Sequence, residues 1–333
     1  MKRNIFVIAT LLFSSLLFTS CGGGKSTGQR SSGKTAEIIV VMNSEKQWEG
    51  AVGDTLRAFF RREYPRLPQP EPYFSLVYTP KPNFAGTKMF KPHHNILIVD
   101  INKKYKKAEL NARKNVWAEP QRVIQITAPD ADSFITLFEE KKDFIMKIVE
   151  DSERQRLMTT FAAFRDYEVQ EQIKKSFHFS LEIPGGFYIA KKFSNFMWIR
   201  KETKKFSQGL IIYTYDFTDT VAFNPKRIIS YRDSITKTYI PGPSEGSYMA
   251  VSKDYIKPVS KEIDFNGLFA VETRGLWKVE GDFMGGPFIN YTFVDEKRNK
   301  VITIDGYVYA PNAPKRNMVM QLESIIWSFK FSE

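Results

Sequence analysis

The sequence predicts an α+β fold, in which an N-terminal α/β half is followed by an antiparallel β-sheet flanked by helices. In residues 36–175, short apolar runs typical of buried strands alternate with longer segments of helical periodicity. In residues 176–333, β-rich runs follow one another and are separated by glycine and proline. The chain has one cysteine, so no intrachain disulfide can hold this fold, and side-chain packing has to do so.

The N-terminal half opens with a strand and a helix. The apolar run from Glu37 to Met42 predicts a buried strand, and apolar residues at helical spacing from Val52 to Phe60 predict the helix. Several prolines then make an extended connector. The other strands predicted in this half are Phe74–Tyr78, Asn95–Ile101 and Arg122–Thr127.

Three more helices are predicted in the N-terminal half. A basic stretch from Lys103 to Asn115 favours the first of them. Asp130 opens the second, which carries apolar residues along one side. Ser152 with Gln155 forms a capping box, which predicts that a separate third helix begins there and ends near Lys175.

The C-terminal half is predicted to be mostly β-structure. Glycine and proline turns such as Pro184-Gly185-Gly186 separate the runs, and an antiparallel sheet with helices packed against it accommodates this order. The predicted strands are Phe177–Ile183, Phe187–Lys192, Phe196–Glu202, Gly209–Asp216, Phe269–Val279, Pro287–Val294 and Lys300–Ala310, and the predicted helices are Pro225–Thr236 and Pro314–Ser328.

The amino end has the features of a lipoprotein signal. Lys2 and Arg3 form a positive n-region, and the mostly apolar run up to Phe18 is too short to span a bilayer as a stable helix. Ser20 precedes Cys21, and lipoprotein signal peptidase requires a small residue before the cysteine. We predict that residues 1–20 are a signal peptide and that Cys21 carries the lipid; the alternative is an ordinary secretory signal with a chance cysteine.

Residues 21–35 are predicted to be a flexible, basic tether rich in glycine and serine. Gly22 stands where an aspartate would signal inner-membrane retention, and the tether lacks the acidic cluster that sends some lipoproteins to the cell surface. We therefore expect a protein on the periplasmic side of the outer membrane, held by two or three acyl chains. A chain exported in this way is not expected to meet nucleic acid.

Positive charge is concentrated near the amino end and in one part of the N-terminal half. The formal net charge is +12, and the signal and tether hold five of the cations. Residues 81–122 contain ten Lys or Arg against three acidic residues. This region is either a surface for lipid head groups or another anionic envelope polymer, or a solvated helix with its loops.

Motifs that would indicate a cofactor or covalent catalysis are missing from the sequence. His93 and His94 are adjacent, so in a strand they would point to opposite faces, and we expect them at the surface or at a sheet edge rather than on one metal ion. The chain has neither a Gly-x-Ser-x-Gly elbow nor a His-Glu-x-x-His helix. We predict no metal and no cofactor, and catalysis is left open.

The segment from Trp277 to Pro287 is the first candidate binding site. Glu280 and Asp282 are two residues apart, so on an extended strand they would share a face and could act as an acid–base pair or hold a cation. The alternative is a strand end and a glycine-rich hairpin, with Trp277 in the core.

The second candidate is the segment Pro241-Gly242-Pro243-Ser244-Glu245-Gly246. Pro241 and Pro243 restrict its backbone, so it is either a groove wall that presents Glu245 or a fixed turn. A third group is aromatic and either grips a sugar or peptide or forms one buried face of a sheet; it comprises Phe187, Tyr188, Phe193, Phe196 and Trp198.

Two resemblances add to these patterns. In three segments the chain resembles an uncharacterised family of Bacteroidota lipoproteins that contain a domain of unknown function. These segments are the lipobox, which is the stretch 17–22 around Cys21, and the ranges 240–248 and 275–287. The segment 179–187 and the closing segment 322–331 resemble the first strand and the last helix and strand of the PsbP/Mog1-like fold. The second resemblance implies a binding or assembly module rather than an enzyme.

Three functions follow from these observations. The first is a non-catalytic binding or assembly module that faces the periplasm and has another envelope protein or an anionic polymer as its partner. The second is an envelope hydrolase that acts on glycan or peptide, with Glu280 and Asp282 as its acids. The third is a lipid or small-ligand carrier, which requires an apolar cavity in the second half.

Overall fold

Two β-sheets with helices packed against them give the chain an α+β architecture, as the sequence predicts. The computed structural model describes residues 28–332. The predicted signal peptide, the predicted lipid site Cys21 and the first part of the predicted tether lie outside the described residues. We call residues 28–163 the first unit and residues 164–332 the second unit.

The first sheet contains five strands in the order β2-β1-β3-β5-β4, all parallel except β4. Apolar residues of one face share a core cluster with helices α2 and α4, and those of the other face pack with Phe84 of helix α3. The elements are β1 (Glu37–Met42), α1 (Glu45–Trp48), α2 (Ala51–Phe60), β2 (Ser75–Pro80), α3 (Lys81–Gly86), β3 (Asn95–Ile101), β4 (Glu109–Lys114), β5 (Arg122–Ala128) and α4 (Ala131–Ala163).

The basic stretch 103–115, predicted to be a helix, forms a loop and then strand β4, so that prediction was wrong. Strand β4 pairs with β5 at the edge of the sheet, and nearly all its side chains are exposed. Charged residues on an edge strand prevent other chains from pairing with it. The open edge of β5 therefore overrides the local helix preference of this stretch.

The helix break predicted at Ser152 was also wrong, because α4 continues through it for 33 residues. Ser152 is buried in the middle of the helix and caps nothing. The chain leaves the helix near Phe164, and Asp166 caps the next helix by accepting a hydrogen bond from the Val169 N–H. Buried residues recur every four positions across the predicted break, at Ile145, Val149, Glu153, Leu157 and Phe161.

The second sheet contains eight antiparallel strands in the order β10-β12-β13-β14-β9-β8-β7, with β11 also paired to β12. Helix α7 packs on one face and α6 on the other. The elements are α5 (Tyr167–Phe177), β6 (Phe179–Ser180), β7 (Tyr188–Phe193), β8 (Phe196–Glu202), β9 (Ser207–Asp216), α6 (Pro225–Tyr239), β10 (Tyr248–Ser252), β11 (Val259–Phe265), β12 (Leu268–Glu280), β13 (Gly285–Asp295), β14 (Lys300–Tyr309), α7 (Arg316–Trp327) and β15 (Lys330–Phe331).

Sequence patterns located most strands of the second sheet but not all of them. Strands β10 and β11 were missed, and a one-turn 3-10 helix, Thr220–Phe223, precedes α6. The run predicted over Phe177–Ile183 forms only the two-residue strand β6, which pairs with β15 in a small separate sheet.

The described end of the predicted tether lies against the first unit. The Ser31 N–H donates to the Glu119 carbonyl at 3.1 Å, and the Ser32 N–H donates to the Pro92 carbonyl at 2.9 Å. His93 and His94, predicted at the surface or at a sheet edge, are buried, and their ring centroids are 4.5 Å apart. A Cβ on residue 33 would lie 2.3 Å from His93 Nε2, so glycine is needed there for this close approach.

The two units share one hydrophobic core, in which α4 packs against α7. Although α4 is long, no helix within residues 28–332 is apolar over enough of its length to cross a membrane.

Candidate functional site

The second unit contains a cleft of about 660 Å³, which we call the aromatic cleft. It lies on the α6 side of the second sheet, and it brings together three of the predicted site residues, Trp277, Pro241 and Pro243. Its other lining residues include Trp198, Met249, Met284, Tyr307 and Tyr309.

The register of the second sheet determines the shape of the cleft floor. Tyr307 on β14 lies opposite Gly209 on β9, where a Cβ would come within 2.2 Å of the Tyr307 ring. The missing side chain at Gly209 lets the ring lie across the neighbouring strand. The Trp277 ring meets the Tyr307 ring edge to face, with centroids 5.5 Å apart.

The polar atoms of the buried floor rings have partners within the protein. Trp198 Nε1 donates to the Tyr307 hydroxyl at 2.9 Å, and Trp277 Nε1 donates to the Val308 carbonyl at 3.1 Å. Burial raises the pKa of Tyr307 to about 12, so this hydroxyl stays neutral at physiological pH. These three residues therefore give the cleft an apolar floor.

The rim of the cleft is basic on the side of the turn between β8 and β9. Lys204 and Lys205 line it and are exposed, and within residues 28–332 neither has a carboxylate within 4 Å. Arg200 also lines the cleft, but it stacks over the Trp198 ring at 4.6 Å and pairs with Glu202. Lys204 and Lys205 therefore carry the charge that is available to an anion.

The proline segment forms one wall of the cleft. The Gly242 N–H donates to the Ser247 carbonyl at 2.8 Å, and a Cβ on residue 242 would lie 2.3 Å from Ser247 Oγ. The segment is thus a fixed turn that also lines the cleft, with Pro241 and Pro243 facing it. Glu245 is exposed in the turn and does not line the cleft.

The predicted carboxylate pair does not share a face. Gly281 has a φ of +88°, which ends the extended strand between the two acids. Glu280 pairs with Lys278 Nζ at 3.0 Å. Asp282 accepts from the Ser244 hydroxyl at 2.8 Å and from the Phe283 N–H at 2.6 Å, so it fixes the hairpin turn.

The predicted aromatic group is also divided. Trp198 and Phe196 belong to the cluster beneath the cleft, whereas Phe187 packs in the core shared by both units. Tyr188 and Phe193 are exposed.

Sequence reasoning missed Tyr307 and Tyr309, although they carried a usable signal. They lie two residues apart in a run predicted as a strand, so they had to share one face. Their partner across the sheet, Trp198, is over 100 residues away in the chain, and only the strand order brings the three together.

A second cleft, of about 640 Å³, lies between the two units and contains a network of buried ionisable groups. Arg274 donates to Glu272 at 2.7 Å, to the Tyr64 hydroxyl at 2.9 Å and to Glu323 at 3.0 Å. Tyr64 belongs to the first unit and the other three to the second, so the network joins the units. The Tyr291 hydroxyl donates to Glu272 at 2.9 Å.

Glu150 of α4 lies at the same cleft and differs electrostatically from the acids of the network. Burial raises the pKa of Glu150, and repulsion from Glu323 adds to the rise, while the hydrogen bond from the Tyr73 hydroxyl offsets part of it. For Glu272, burial alone would raise the pKa, but the charge and hydrogen bond of Arg274, the Lys261 charge and the hydrogen bond from Tyr291 together lower the pKa to about 2. Because Arg274 binds the network acids directly, we interpret this cleft as the structural joint between the units.

Models of two protein families match different parts of the chain. Residues 31–162 match the family described as "Domain of unknown function (DUF8532)", and residues 166–328 match "Domain of unknown function (DUF4837)". The two matched ranges meet at the turn between α4 and α5. No match was found among curated proteins.

Some solved structures are similar to part of the chain. A mutant of the protein Mog1 is 11% identical, with 47% of this chain and 92% of that chain covered and a TM-score of 0.31. The Ran-binding protein Mog1p of Saccharomyces cerevisiae is 10% identical, with 47% and 91% covered and a TM-score of 0.30. LpqN, described as involved in cell envelope biogenesis of Mycobacterium tuberculosis, is 12% identical, with 46% and 83% covered and a TM-score of 0.28.

The chain is thus similar, in its first and second units respectively, to two different domains of unknown function.

Proposed function

We propose that this protein is a membrane-anchored binding module that holds an amphiphilic anion in the aromatic cleft. The apolar part of the ligand occupies the cleft, against Trp277, Tyr307 and Tyr309. Its anionic group lies at the rim, beside Lys204 and Lys205.

The observation that carries this proposal is the presence of an aromatic floor and unpaired cations in one cleft. The volume, about 660 Å³, is in the usual range for small-molecule sites, which are mostly apolar and contain a few polar groups that orient the ligand. Burying the apolar part supplies affinity, and the lysines select for negative charge. An apolar cavity in the second half is what the carrier alternative requires. The hydrolase alternative is less well supported, because Glu280 contacts Lys278 and Asp282 contacts Ser244.

The first test is the binding of dansyl-labelled undecanoic acid, followed by dansyl fluorescence. Met284 lines the cleft, whereas its neighbour Phe283 is fully exposed, so the two positions form a matched pair. Met284→Trp fills the cleft and should weaken binding about 10-fold or more, which corresponds to about 1.4 kcal/mol. Phe283→Trp adds the same side chain outside the cleft and should bind like the wild type. No binding to the wild type, or equal losses in both variants, would contradict the proposal.

A second arm tests the charge at the rim. The double variant Lys204→Gln/Lys205→Gln should weaken binding of the free acid several-fold and leave binding of its uncharged methyl ester unchanged. An equal loss for acid and ester would mean that the lysines do not contact the anionic group.

The anchor is proposed at Cys21, with the protein on the periplasmic side of the outer membrane. The supporting observation is the signal-like amino end, in which the single cysteine follows a small residue. Cells grown with radioactive palmitate should label the wild-type protein and not a Cys21→Ser variant. Label in that variant would rule out this anchor, and fractionation of the membranes tests the location separately.

A further inference from the structure

We infer that the end of the first sheet where the N-terminal segment leaves the fold is a membrane-contact face that rests on an anionic lipid surface. This inference rests on the proposed anchoring and adds to it the side of the protein that meets the bilayer. We call this surface the exit face; its cations are Arg30, Lys88, Lys91, Arg113, Lys114 and Arg122.

Hydrogen bonds hold the exit face together around the departing chain. Residues 31 and 32 are bonded to Glu119 and Pro92, in two different loops. Gln121 ties these loops to each other, because its side-chain amide donates to the Lys91 carbonyl at 2.6 Å and its carbonyl accepts from the Trp117 N–H at 2.8 Å. The loops and the departing chain therefore form one continuous surface.

Charge on the exit face is strongly one-sided. Within residues 28–332, none of its six cations has a carboxylate within 4 Å. Of the nearby acids, Glu37 is paired with His93 at 3.2 Å, Asp151, which is near Arg122, is paired with Arg154 at 2.6 Å, and Glu119 is exposed. Lys114 lies directly opposite Arg122 on the neighbouring strand. Like charges in that position destabilise a sheet, so the fold itself gains nothing from this pair.

The exit face also presents one apolar side chain to solvent. Met89 is 70% exposed and lies between Lys88 and Phe90, whose ring packs into the sheet. A flexible thioether flanked by lysines suits the boundary between head groups and acyl chains, where cations remain among the head groups.

The length of the tether favours a bilayer as the partner. The seven-residue step from Cys21 to Gly28 spans at most about 25 Å when fully extended. The exit face is therefore held close to any membrane in which a lipid on Cys21 is inserted. Lysines at the surface of an anionic bilayer are attracted over about one Debye length, roughly 8–10 Å in physiological salt.

A matched control is available at the opposite end of the same sheet. Because β3 runs away from the exit face, the loop that follows it carries Lys103, Lys104, Lys106 and Lys107 to the far end. These four lysines are exposed. Replacing four cations at either end changes the net charge equally, and of the eight only Lys107 has a carboxylate within 4 Å in the described chain, Glu109 at 3.1 Å.

The experiment uses the unlipidated chain from Gly22 onward, which retains every described contact, and vesicles of equal parts phosphatidylethanolamine and phosphatidylglycerol. The variant with Lys88, Lys91, Arg113 and Lys114 changed to Gln should bind the vesicles at least about 100-fold more weakly than the wild type in a sedimentation assay, because each cation at the surface contributes about 1 kcal/mol. The far-end variant should lose less than about 5-fold. A Met89→Trp variant should show a blue shift of its fluorescence on the vesicles.

Three results would overturn the inference. Equal losses in the two quadruple variants would mean that only net charge matters, and no binding at low salt would mean that the face does not recognise lipid. Equally tight binding to dextran sulfate, with no blue shift of Met89→Trp on vesicles, would identify the partner as a soluble polyanion. None of these results depends on the dansyl probe or on lipid labelling of Cys21, so failure here is distinguishable from failure of the proposed function.

Discussion

Replacing Arg274 with methionine should destabilise the protein by about 3–5 kcal/mol, because it removes the cation that the buried Glu272 and the partly buried Glu323 share. Methionine fills much of the arginine volume, so the loss reflects charge rather than a cavity. Glu272 and Glu323 would each lose a hydrogen bond of 2.7 to 3.0 Å, and the Tyr64 hydroxyl would lose its bond across the units. Only the longer contacts of Lys261 with Glu272, at 3.4 Å, and of Arg154 with Glu323, at 3.6 Å, would then compensate these carboxylates.

The pKa of Glu272 gives an independent value for the stabilisation that this acid receives from its partners. Burial would raise this pKa, yet the charge and hydrogen bond of Arg274, with smaller contributions from Lys261 and Tyr291, lower it from 4.5 to about 2. A shift of that size corresponds to about 3 kcal/mol at neutral pH. A carboxyl group whose pKa is lower in the folded than in the unfolded protein stabilises the fold. This stabilisation is complete above the pKa of the unfolded state and is lost as the pH falls through the pKa of the folded state. The difference between wild type and variant should therefore shrink by about 2 kcal/mol from pH 7 to pH 3.

Urea unfolding at the two pH values measures both effects. Lys300→Met is the matched control, because it removes a cation from an exposed pair with Asp216 and should cost about 0–1 kcal/mol at either pH. A loss in Arg274→Met no larger than in the control, or one that is unchanged at pH 3, would refute this account of the network.

Three further predictions concern single positions. Glu150→Gln should make the protein more stable than the wild type at pH 7 and not at pH 4. Burial raises the pKa of Glu150, so ionisation of this carboxyl destabilises the wild type as the pH rises towards the raised pKa, whereas Gln does not ionise. Urea unfolding at the two pH values measures this difference. Gly209→Ala should cost about 1–3 kcal/mol and weaken dansyl-undecanoate binding, because its Cβ displaces Tyr307; normal binding would contradict the described floor. Phe283→Ser should cost less than about 0.5 kcal/mol of stability, because the side chain is fully exposed, and the thermal midpoint should change little. A larger loss would mean that the side chain is packed.

The fold class and most elements followed from the sequence because periodicity reports which side of an element is buried. The strand at Asn95–Ile101 was predicted at its observed bounds, since its apolar run has clear ends. The errors arose where distant parts of the chain decide the local structure. Strand β4 has a helix-like composition and becomes a strand only because β5 offers an open edge. Ser152 looks like a cap but is buried within a continuous helix.

The candidate site was predicted in part. Trp277 begins the first candidate segment, and Pro241 and Pro243 are the rigid residues of the second; these three do line one cleft. Glu280 and Asp282 were expected on one face because the strand was assumed to continue, and the positive φ at Gly281 ends it. The network around Arg274 left no sequence pattern, because its members come from four separate elements.

Pairing, more than net charge, separates the structural cations of this protein from those we assign to function. Arg274 is buried and each of its three guanidinium nitrogens donates to an acceptor, so its charge is used inside the fold and supports the joint between the units. Lys204 and Lys205 at the cleft, like the cations of the exit face, have no carboxylate within 4 Å in the described chain. An unpaired cation in solvent contributes little to folding stability, so removing it should leave the unfolding free energy unchanged while binding falls. The two cation groups lie on different units, so their effects should be independent. Removing Lys204 and Lys205 should weaken binding of the amphiphile only, and removing the exit-face cations should weaken binding to vesicles only.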